Sequence, residues 1–375
     1  MADTGPKQVG LALQGGGAHA AFTWGVLDRL LDEVEKGALF ITGISGTSGG
    51  ALNGAACAVG LNQSPRKAKE LLAQLWESVG AHSYWHPSFF NFPMAEIDSA
   101  RRWNVDYNPF VIGQGLLQQV SSPYLTPWMQ NQLGSIIEEV IPDFHGINQP
   151  NDKAPDLYVS ATNVNETALR IFEPWEITVK VLMASACYPT LFEAVQIGDD
   201  FYWDGGYMAN PALKPLVKKG ADDLLTVLIN PLTVEHGPPM LSRQIVNRIN
   251  EVSFGASWVT EVGQIGLINE LIRNKVIPDG IPAPDGKTYS EKRFHVIAAP
   301  HFMEEIGAAS KSTPSREFFL ALRSAGREAA HSWVSKNLQY VGEESTFEIE
   351  EEIRNRLNGS VTALQSLKSV NGALR

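Results

Sequence analysis

The chain has 375 residues, of which 44% are hydrophobic, and a formal net charge of −11 at pH 7. This length and apolar content are enough to bury a large core, whereas the acidic balance argues against a nucleic-acid partner and against electrostatic attachment to anionic lipids. Any transient contact with a lipid surface would therefore have to be apolar. The sequence shows no leader pattern and no uninterrupted apolar run near the roughly 18 residues of a membrane span, so we expect a cytoplasmic protein.

The first predicted element is a short buried strand at residues 9–13, which runs into a glycine loop. The loop contains Gly15, Gly16 and Gly17, and a helix follows it. That helix is indicated by an apolar stripe at helical spacing: Phe22, Val26, Leu27, Leu30, Leu31 and Val34. Glycines before a helix N-terminus allow backbone N–H groups to approach a ligand or a developing negative charge.

A second unit of the same kind follows. An apolar strand leads into the sequence Gly-Thr-Ser-Gly-Gly at residues 46–50, and a helix of small residues comes next. This pattern is typical of a nucleophile elbow, in which a strained serine, here Ser48, exposes its hydroxyl at a tight turn. Gly46 and Gly50 fit this interpretation, because a Cβ there would collide with the neighbouring strand and helix. The motif alone leaves open an ordinary turn in which Ser48 caps the helix.

Two strand-loop-helix units in succession form a βαβ element. Parallel strands place both loops at the same carboxyl edge of the sheet. The backbone N–H groups of the first loop can then face whatever Ser48 attacks, as an oxyanion hole requires.

The middle of the chain combines a helix with a long aromatic segment. An apolar stripe predicts the helix at residues 65–80, and residues 83–129 are rich in aromatic side chains and proline with little periodicity. In a lipid hydrolase such a segment would wall an acyl pocket or form a lid. The alternative is an irregular insertion packed on the sheet.

The remaining predicted elements alternate between strands and helices. Strands are expected at residues 156–162, 168–172, 224–229 and 294–299, and helices at 179–187 and 241–276. The second of these strands is expected to pair with the first. Residues 196–203 are expected to form a short turn, at 198–200, and a strand. A further helix is predicted to start at Thr313 and Pro314, as cap and first residue. We expect residues 341–375 to form an acidic helical tail.

Four motifs stand in a fixed order along the chain. They are the glycine loop at residues 15–20, the elbow at 46–50, the sequence Ala-Ser-Ala-Cys-Tyr-Pro-Thr-Leu-Phe at 184–192, and finally Asp204, Gly205 and Gly206. Together they resemble the patatin-like phospholipase family, over about residues 9–215. The resemblance implies a three-layer α/β/α fold with a mainly parallel central sheet, in one catalytic domain that we place at residues 1–340.

The resemblance also implies a reaction through a Ser-Asp dyad without a histidine. Ser48 would attack an ester carbonyl of a phospholipid or related lipid, Asp204 would be the base, and water would release the acyl-enzyme. Next to Tyr202 and Trp203 the aspartate would be partly desolvated, which raises its pKa. No cofactor is implied. The oxyanion would be held by backbone N–H groups of Gly15, Gly16, Gly17, Ala18 and Gly49.

Two residues of the glycine loop depart from the family pattern. The family usually has Arg or Lys where this chain has His19, and glycine where it has Ala20. Because histidine can be neutral at pH 7, we expect its electrostatic support of the loop to be weaker and pH-dependent.

Other interpretations of the same residues stay open. A Ser-Asp-His triad would use His236, His295 or His301, although only one strand precedes the elbow strand and His295 alternates with apolar neighbours. A dinucleotide-binding protein would need an acidic residue at the end of the second strand, where this chain has none. An acyltransferase or a lipid-binding protein can share the scaffold. The other histidines lack ligand-like spacing, so no metal site is expected.

Overall fold

The computed structural model describes residues 5–81, 100–120, 122–125, 132–149, 154–232, 238–282 and 288–348. Residues 83–99, 121 and 126–129 of the aromatic-rich segment and most of the tail 341–375 lie outside these residues. The predicted roles of both segments therefore stay predictions.

The described residues contain one large mixed sheet and a small hairpin. The strands are β1 (Lys7–Leu13), β2 (Leu39–Thr47), β3 (Asp156–Asn163), β4 (Ala168–Phe172), β5 (Val195–Ile197), β6 (Asp200–Asp204), β7 (Asp223–Val227), β8 (Ile281–Pro282), β9 (Thr288–Tyr289) and β10 (Arg293–Ile297). In the large sheet β10, β7, β1, β2 and β3 are parallel neighbours in that order. Antiparallel β6 and β5 continue it beyond β3, β4 also pairs with β3, and β8 and β9 form the hairpin.

Helices cover both faces of this sheet. They are α1 (Ala21–Glu35), α2 (Gly49–Leu61), α3 (Pro65–Ala81), α4 (Pro109–Val120), α5 (Leu133–Val140), α6 (His145–Asn148), α7 (Val179–Ser185), α8 (Lys214–Lys219), α9 (Ser242–Arg273), α10 (Pro300–Ile306) and α11 (Arg316–Asn337). Over the ranges that the structure describes, none of the helices combines the length and the apolar character needed to cross a membrane.

The alternation of side chains along β1 divides the core into two layers. Leu11 and Leu13 belong to a cluster with buried side chains of α1, α2, α3 and α11. Ala12, which points to the opposite face of the strand, belongs to a second cluster with Leu216 of α8 and Trp258 of α9. The sheet therefore lies between two helical layers.

The expected three-layer α/β/α fold with a mainly parallel sheet is confirmed. The expected pairing of residues 168–172 with the strand at 156–162 is also confirmed. The predicted start of the last long helix is wrong, because α11 begins at Arg316. The Ser315 hydroxyl accepts a hydrogen bond of 3.2 Å from the Phe318 N–H, so Ser315 is the N-cap instead of Thr313.

Candidate active site

Ser48 lies between β2 and α2 in a backbone conformation that is uncommon for serine. Its φ is 54° and its ψ is −126°, and residues other than glycine adopt such positive φ values at a cost in strain. The residue is 7% exposed. Its side chain makes no capping hydrogen bond to α2, so the interpretation of Ser48 as an ordinary helix cap does not fit.

The two glycines around this turn are required by close backbone contacts. A Cβ on Gly46 would lie 2.7 Å from the Cα of Ala51 in α2. A Cβ on Gly50 would lie 2.2 Å from the carbonyl oxygen of Leu13 at the end of β1. The first turn of α2 is therefore pressed against both neighbouring strands, as the elbow motif predicts.

A buried serine from a distant helix holds the elbow in place. The Ser48 N–H donates a 2.9 Å hydrogen bond to the Ser185 hydroxyl. That hydroxyl donates in turn to the Ser160 carbonyl oxygen of β3, at 2.7 Å. Residues 184–192 stand out in the sequence only as part of a family motif, so the contacts of Ser185 were not predicted.

Asp204 ends β6 and brings its carboxylate to the Ser48 hydroxyl, with which it is hydrogen-bonded. The carboxylate also accepts a 2.8 Å bond from the Gly206 N–H. The residue is 5% exposed, and burial raises the pKa of Asp204 to about 6, although the bonds from Ser48 and Gly206 oppose this change. Such a carboxylate is ionised at neutral pH and is a stronger base than a solvated aspartate.

Backbone contacts on both sides fix Asp204 to the sheet. Its N–H donates to the Cys187 carbonyl at 2.8 Å, and its carbonyl accepts from the Thr162 hydroxyl at 2.8 Å. A Cβ on Gly205 would lie 2.2 Å from the Ser160 carbonyl oxygen, so only glycine fits the chain reversal after Asp204.

The glycine loop after β1 passes directly against the elbow. A Cβ on Gly15 would lie 2.7 Å from the Cβ of Ser48. The Gly15 N–H donates a 2.6 Å hydrogen bond to the Asn210 side-chain oxygen, and the Asn210 amide donates back to the Gly15 carbonyl at 3.3 Å. The expected role of Gly15 as an oxyanion donor is therefore corrected, since its N–H is used to anchor the loop. Sequence analysis did not single out Asn210.

Gly17 and Gly49 lie where the loop meets α2. Gly17 has a φ of 56°, and a Cβ on it would lie 2.6 Å from the carbonyl oxygen of Lys311. A Cβ on Gly49 would lie 2.4 Å from that of Ala20 and 3.2 Å from the Gly17 carbonyl oxygen. Gly49 is the first residue of α2, where the leading N–H groups have no partner within the helix. Gly16, Gly17, Ala18 and Gly49 remain the candidate oxyanion donors.

His19 points into the protein core. It is 2% exposed, its Nε2 is 2.7 Å from the Ser310 hydroxyl, and its ring meets Phe318 edge to face at 5.9 Å. His19, which replaces the usual basic side chain, therefore joins the glycine loop to Ser310 in the segment after α10.

Of the histidines considered for a triad, His295 has partners other than Asp204. His295 lies in β10, with Nε2 at 3.0 Å from Asp223 and Nδ1 at 2.8 Å from Thr346. His301 is in α10, and His236 falls outside the described residues. In the described part of the chain there is also no group of three His, Cys, Asp or Glu residues that could hold a metal ion.

The residues of this site fall within a region of the chain that matches a known protein family. The model of the patatin-like phospholipase family matches residues 11–217. Among solved structures, VipD from Legionella pneumophila aligns with a TM-score of 0.41 and 14% identity, over 88% of this chain and 67% of VipD. A chain of the ExoU–SpcU complex from the Pseudomonas aeruginosa type III secretion system aligns with a TM-score of 0.34 and 13% identity. That alignment covers 89% of this chain and 52% of the other chain. No curated protein matches the sequence.

Proposed function

Because this chain belongs to the patatin-like phospholipase family, we propose that it hydrolyses carboxylic ester bonds of phospholipids or related lipids. Ser48 is the nucleophile and Asp204 is the base. The catalytic domain extends over residues 1–340. Inclusion of the C-terminal helix is supported by the buried Phe318, Phe319 and Leu322 of α11, which share one core cluster with β1 and β2.

One observation carries this proposal: the Ser48 hydroxyl is hydrogen-bonded to a buried carboxylate whose pKa is raised to about 6. A serine hydroxyl is a weak nucleophile until a base accepts its proton. Asp204 is ionised above that pKa and is held against Ser48 by its own backbone bonds, so no third residue is needed to orient it.

Acylation begins when the Ser48 oxygen attacks the ester carbonyl carbon and its proton passes to Asp204. The carbonyl oxygen becomes an oxyanion, which the N–H groups of Gly16, Gly17, Ala18 and Gly49 stabilise in the proposed mechanism. Collapse of this intermediate breaks the ester bond. The leaving alcohol takes the proton from Asp204, and the acyl group stays on Ser48.

Deacylation repeats these steps with water as the nucleophile. Asp204 accepts a proton from water while the water oxygen attacks the acyl-serine carbonyl. The second oxyanion then collapses, Ser48 recovers its proton from Asp204, and a fatty acid leaves. An acyltransferase would differ only here, because an alcohol would take the place of water.

The proposal is tested by intact mass after treatment with a fluorophosphonate probe, which reacts with activated serines. We expect a single adduct on the wild type and none on folded Ser48→Ala. Asp204→Asn is expected to label far more slowly. His295→Ala is the matched control and should label and hydrolyse esters as the wild type does, provided that it folds. Loss of activity in a folded His295→Ala variant would instead favour a triad, and an adduct on Ser48→Ala would rule out Ser48.

A further inference from the structure

The glycine loop packs against two segments from distant parts of the chain. Gly16 contacts the first, since a Cβ added to it would lie 3.0 Å from the Ile229 side chain, just beyond β7. Gly17 contacts the second, where an added Cβ would lie 2.6 Å from the Lys311 carbonyl oxygen and 3.6 Å from the Lys311 Cβ. The positions of two candidate oxyanion donors therefore depend on these two segments.

A lysine side chain links the two segments to each other. The Lys311 ammonium donates a 2.5 Å hydrogen bond to the side-chain oxygen of Asn230, the residue after Ile229. Asn230 is 5% exposed, and its N–H donates a 2.8 Å bond to the side-chain oxygen of Gln14, at the start of the loop. Lys311, Asn230 and Gln14 thus form one connected network beside the glycine loop.

Lys311 is the basic residue that this network holds next to the loop. The histidine of the loop itself, His19, points into the core and bonds to Ser310, the residue before Lys311. The side-chain oxygen of Asn230 is a neutral acceptor, and among the described residues no carboxylate lies within 4 Å of the Lys311 ammonium. The positive charge beside the loop is therefore not neutralised by a close ion pair.

Two carboxylates face Lys311 from neighbouring elements. Glu251 of α9 is paired with Arg248 at 3.0 Å, and Asp106, three residues before α4, accepts a 3.0 Å hydrogen bond from the Ala309 N–H. Burial lowers the pKa of Lys311 to about 8, although both carboxylates oppose this change. The ammonium is thus charged at neutral pH and loses its proton in mildly alkaline solution.

We propose that Lys311 is a positioning residue for ester hydrolysis, whose charge and bond to Asn230 hold Gly16 and Gly17 where their N–H groups stabilise the oxyanion. This inference rests on the proposed function, because an oxyanion forms only if Ser48 attacks an ester carbonyl. Donors that are fixed beside a positive charge stabilise a developing negative charge without having to reorganise during the reaction.

The test compares Lys311→Met and Lys311→Arg in the full chain, with a soluble, non-ionisable ester at pH 7. Methionine removes the charge but keeps a long side chain, whereas arginine keeps the charge and a donor for Asn230. We expect Lys311→Met to lose about tenfold in kcat with little change in KM, because the loop acts on the transition state. Lys311→Arg should retain most of the wild-type rate.

The pH profile separates the charge of Lys311 from its packing. In the wild type, the plateau above the Asp204 pKa of about 6 should end near pH 8, and the rate should then fall by the factor that Lys311→Met loses. Lys311→Arg should keep its rate to about pH 10, because a guanidinium stays charged there. Lys311→Met should show no alkaline decline. The acidic limb near pH 6 should be the same in all three proteins, since among the described residues no positively charged side chain lowers the pKa of Asp204.

Lys69→Met is the matched control. The Lys69 side chain is also partly buried and also donates a 2.5 Å bond, in this case to Asp32, which is three residues before the end of α1 that is remote from the glycine loop. We expect this variant to hydrolyse the ester at the wild-type rate and with the wild-type pH profile.

A wild-type rate in Lys311→Met, or equal losses in Lys311→Met and Lys311→Arg, would overturn this role of Lys311. If Lys311→Met does not fold, as judged by urea unfolding, an alkaline decline that persists in Lys311→Arg would overturn it alone. In each of these cases, ester hydrolysis that is lost in Ser48→Ala leaves the proposed function standing. If the wild type hydrolyses no ester, the proposed function fails and the role of Lys311 fails with it.

Discussion

At the scale of single residues, the candidate site depends on one carboxylate in an unfavourable environment. Asp204 is buried and hydrogen-bonded to Ser48 and Gly206, and among the described residues no positively charged side chain lowers its pKa. Burial without a cationic partner raises the pKa of a carboxyl, because it disfavours the charged form. The raised pKa makes Asp204 a stronger base, but the buried charge lowers the free energy of unfolding. Each of these two effects can be measured.

The first prediction concerns the pH dependence of the reaction. Because Asp204 must be ionised to accept the Ser48 proton, kcat/KM for a soluble ester should rise with pH and level off above the pKa of about 6. Below that value it should fall about tenfold per pH unit. The measurement is initial rates with a non-ionisable ester, with a check that activity returns at neutral pH. A rate that stays constant down to about pH 4 would contradict the role of Asp204 as base.

The second prediction concerns the stability cost of the same group. The pKa of Asp204 is raised from 3.8 to about 6 in the folded protein, so the folded state binds the proton more tightly than the unfolded state. The penalty is absent below about pH 4 and complete above about pH 6, where it amounts to roughly 3 kcal/mol. Asp204→Asn, which keeps an acceptor for the Gly206 N–H, should therefore unfold at a higher urea concentration than the wild type at pH 7.5.

The control for this stability effect is the same comparison at low pH. The advantage of Asp204→Asn should shrink as pH falls from about 6 to about 4, because the wild-type carboxyl becomes protonated in the folded state. An advantage that is independent of pH would show that the substitution acts through packing and not through ionisation.

Sequence motifs could identify the reacting groups at this scale but not the residues that hold them. Ser48 and Asp204 lie in short patterns with a direct chemical meaning. Ser185 bonds to Ser48, which is 137 positions away in the sequence, and Asn210 bonds to Gly15, which is 195 positions away. Their roles therefore depend on how the whole sheet is assembled. For the same reason, the sequence could not show that the Gly15 N–H is already occupied.

At the scale of elements, α1 and α11 pack closely enough to exclude a methyl group between them. A Cβ on Gly326 of α11 would lie 2.1 Å from the Phe22 carbonyl oxygen of α1. The pair is also joined by Asp28, which is 4% exposed and accepts hydrogen bonds from Arg323 and Arg327. Close backbone contact and ion pairs from two partly exposed arginines to a buried carboxylate together fix α11 on the catalytic core.

The third prediction follows from this contact. Gly326→Ala should lower the free energy of unfolding by at least about 2 kcal/mol, because the backbones of two helices would have to separate. Gly263→Ala in α9 is the matched control, since no atom of the described residues outside its own stretch of helix lies within 4 Å of its added Cβ. That variant should gain about 0.5–1 kcal/mol from helix propensity. Urea unfolding gives both values, and equal stabilities of the two variants would contradict the packing argument.

Regular elements were predictable where hydrophobic periodicity was strong, and irregular ones were not. The apolar stripe at residues 65–80 and the buried runs of β1, β3 and β7 predicted bounds within a few residues of those observed. Helix α4 was not predicted, because its apolar residues lie all around the helix and show no period. The start of α11 was misplaced by competing caps, since both Thr313 and Ser315 can accept a helical N–H.

At the scale of the whole molecule, net charge and apolar surface act in opposite directions on lipid binding. The chain has 41 acidic and 30 basic residues, so its average field repels an anionic membrane. The contact with lipid that the proposed function requires therefore has to be made by apolar side chains. The acidic composition alone could predict that lipid contact would be apolar, but not where, because that requires knowing which side chains the core leaves exposed.

The fourth prediction separates these two contributions. In Ser48→Ala protein at low ionic strength, binding to phosphatidylcholine vesicles should weaken severalfold as anionic lipid is added, since the negative surface repels the chain. Added salt should remove most of this difference, because the screening length falls from about 30 Å at 0.01 M to about 8 Å at 0.15 M. Binding that strengthens with anionic lipid would mean that a basic surface, and not apolar contact, attaches this protein to lipid.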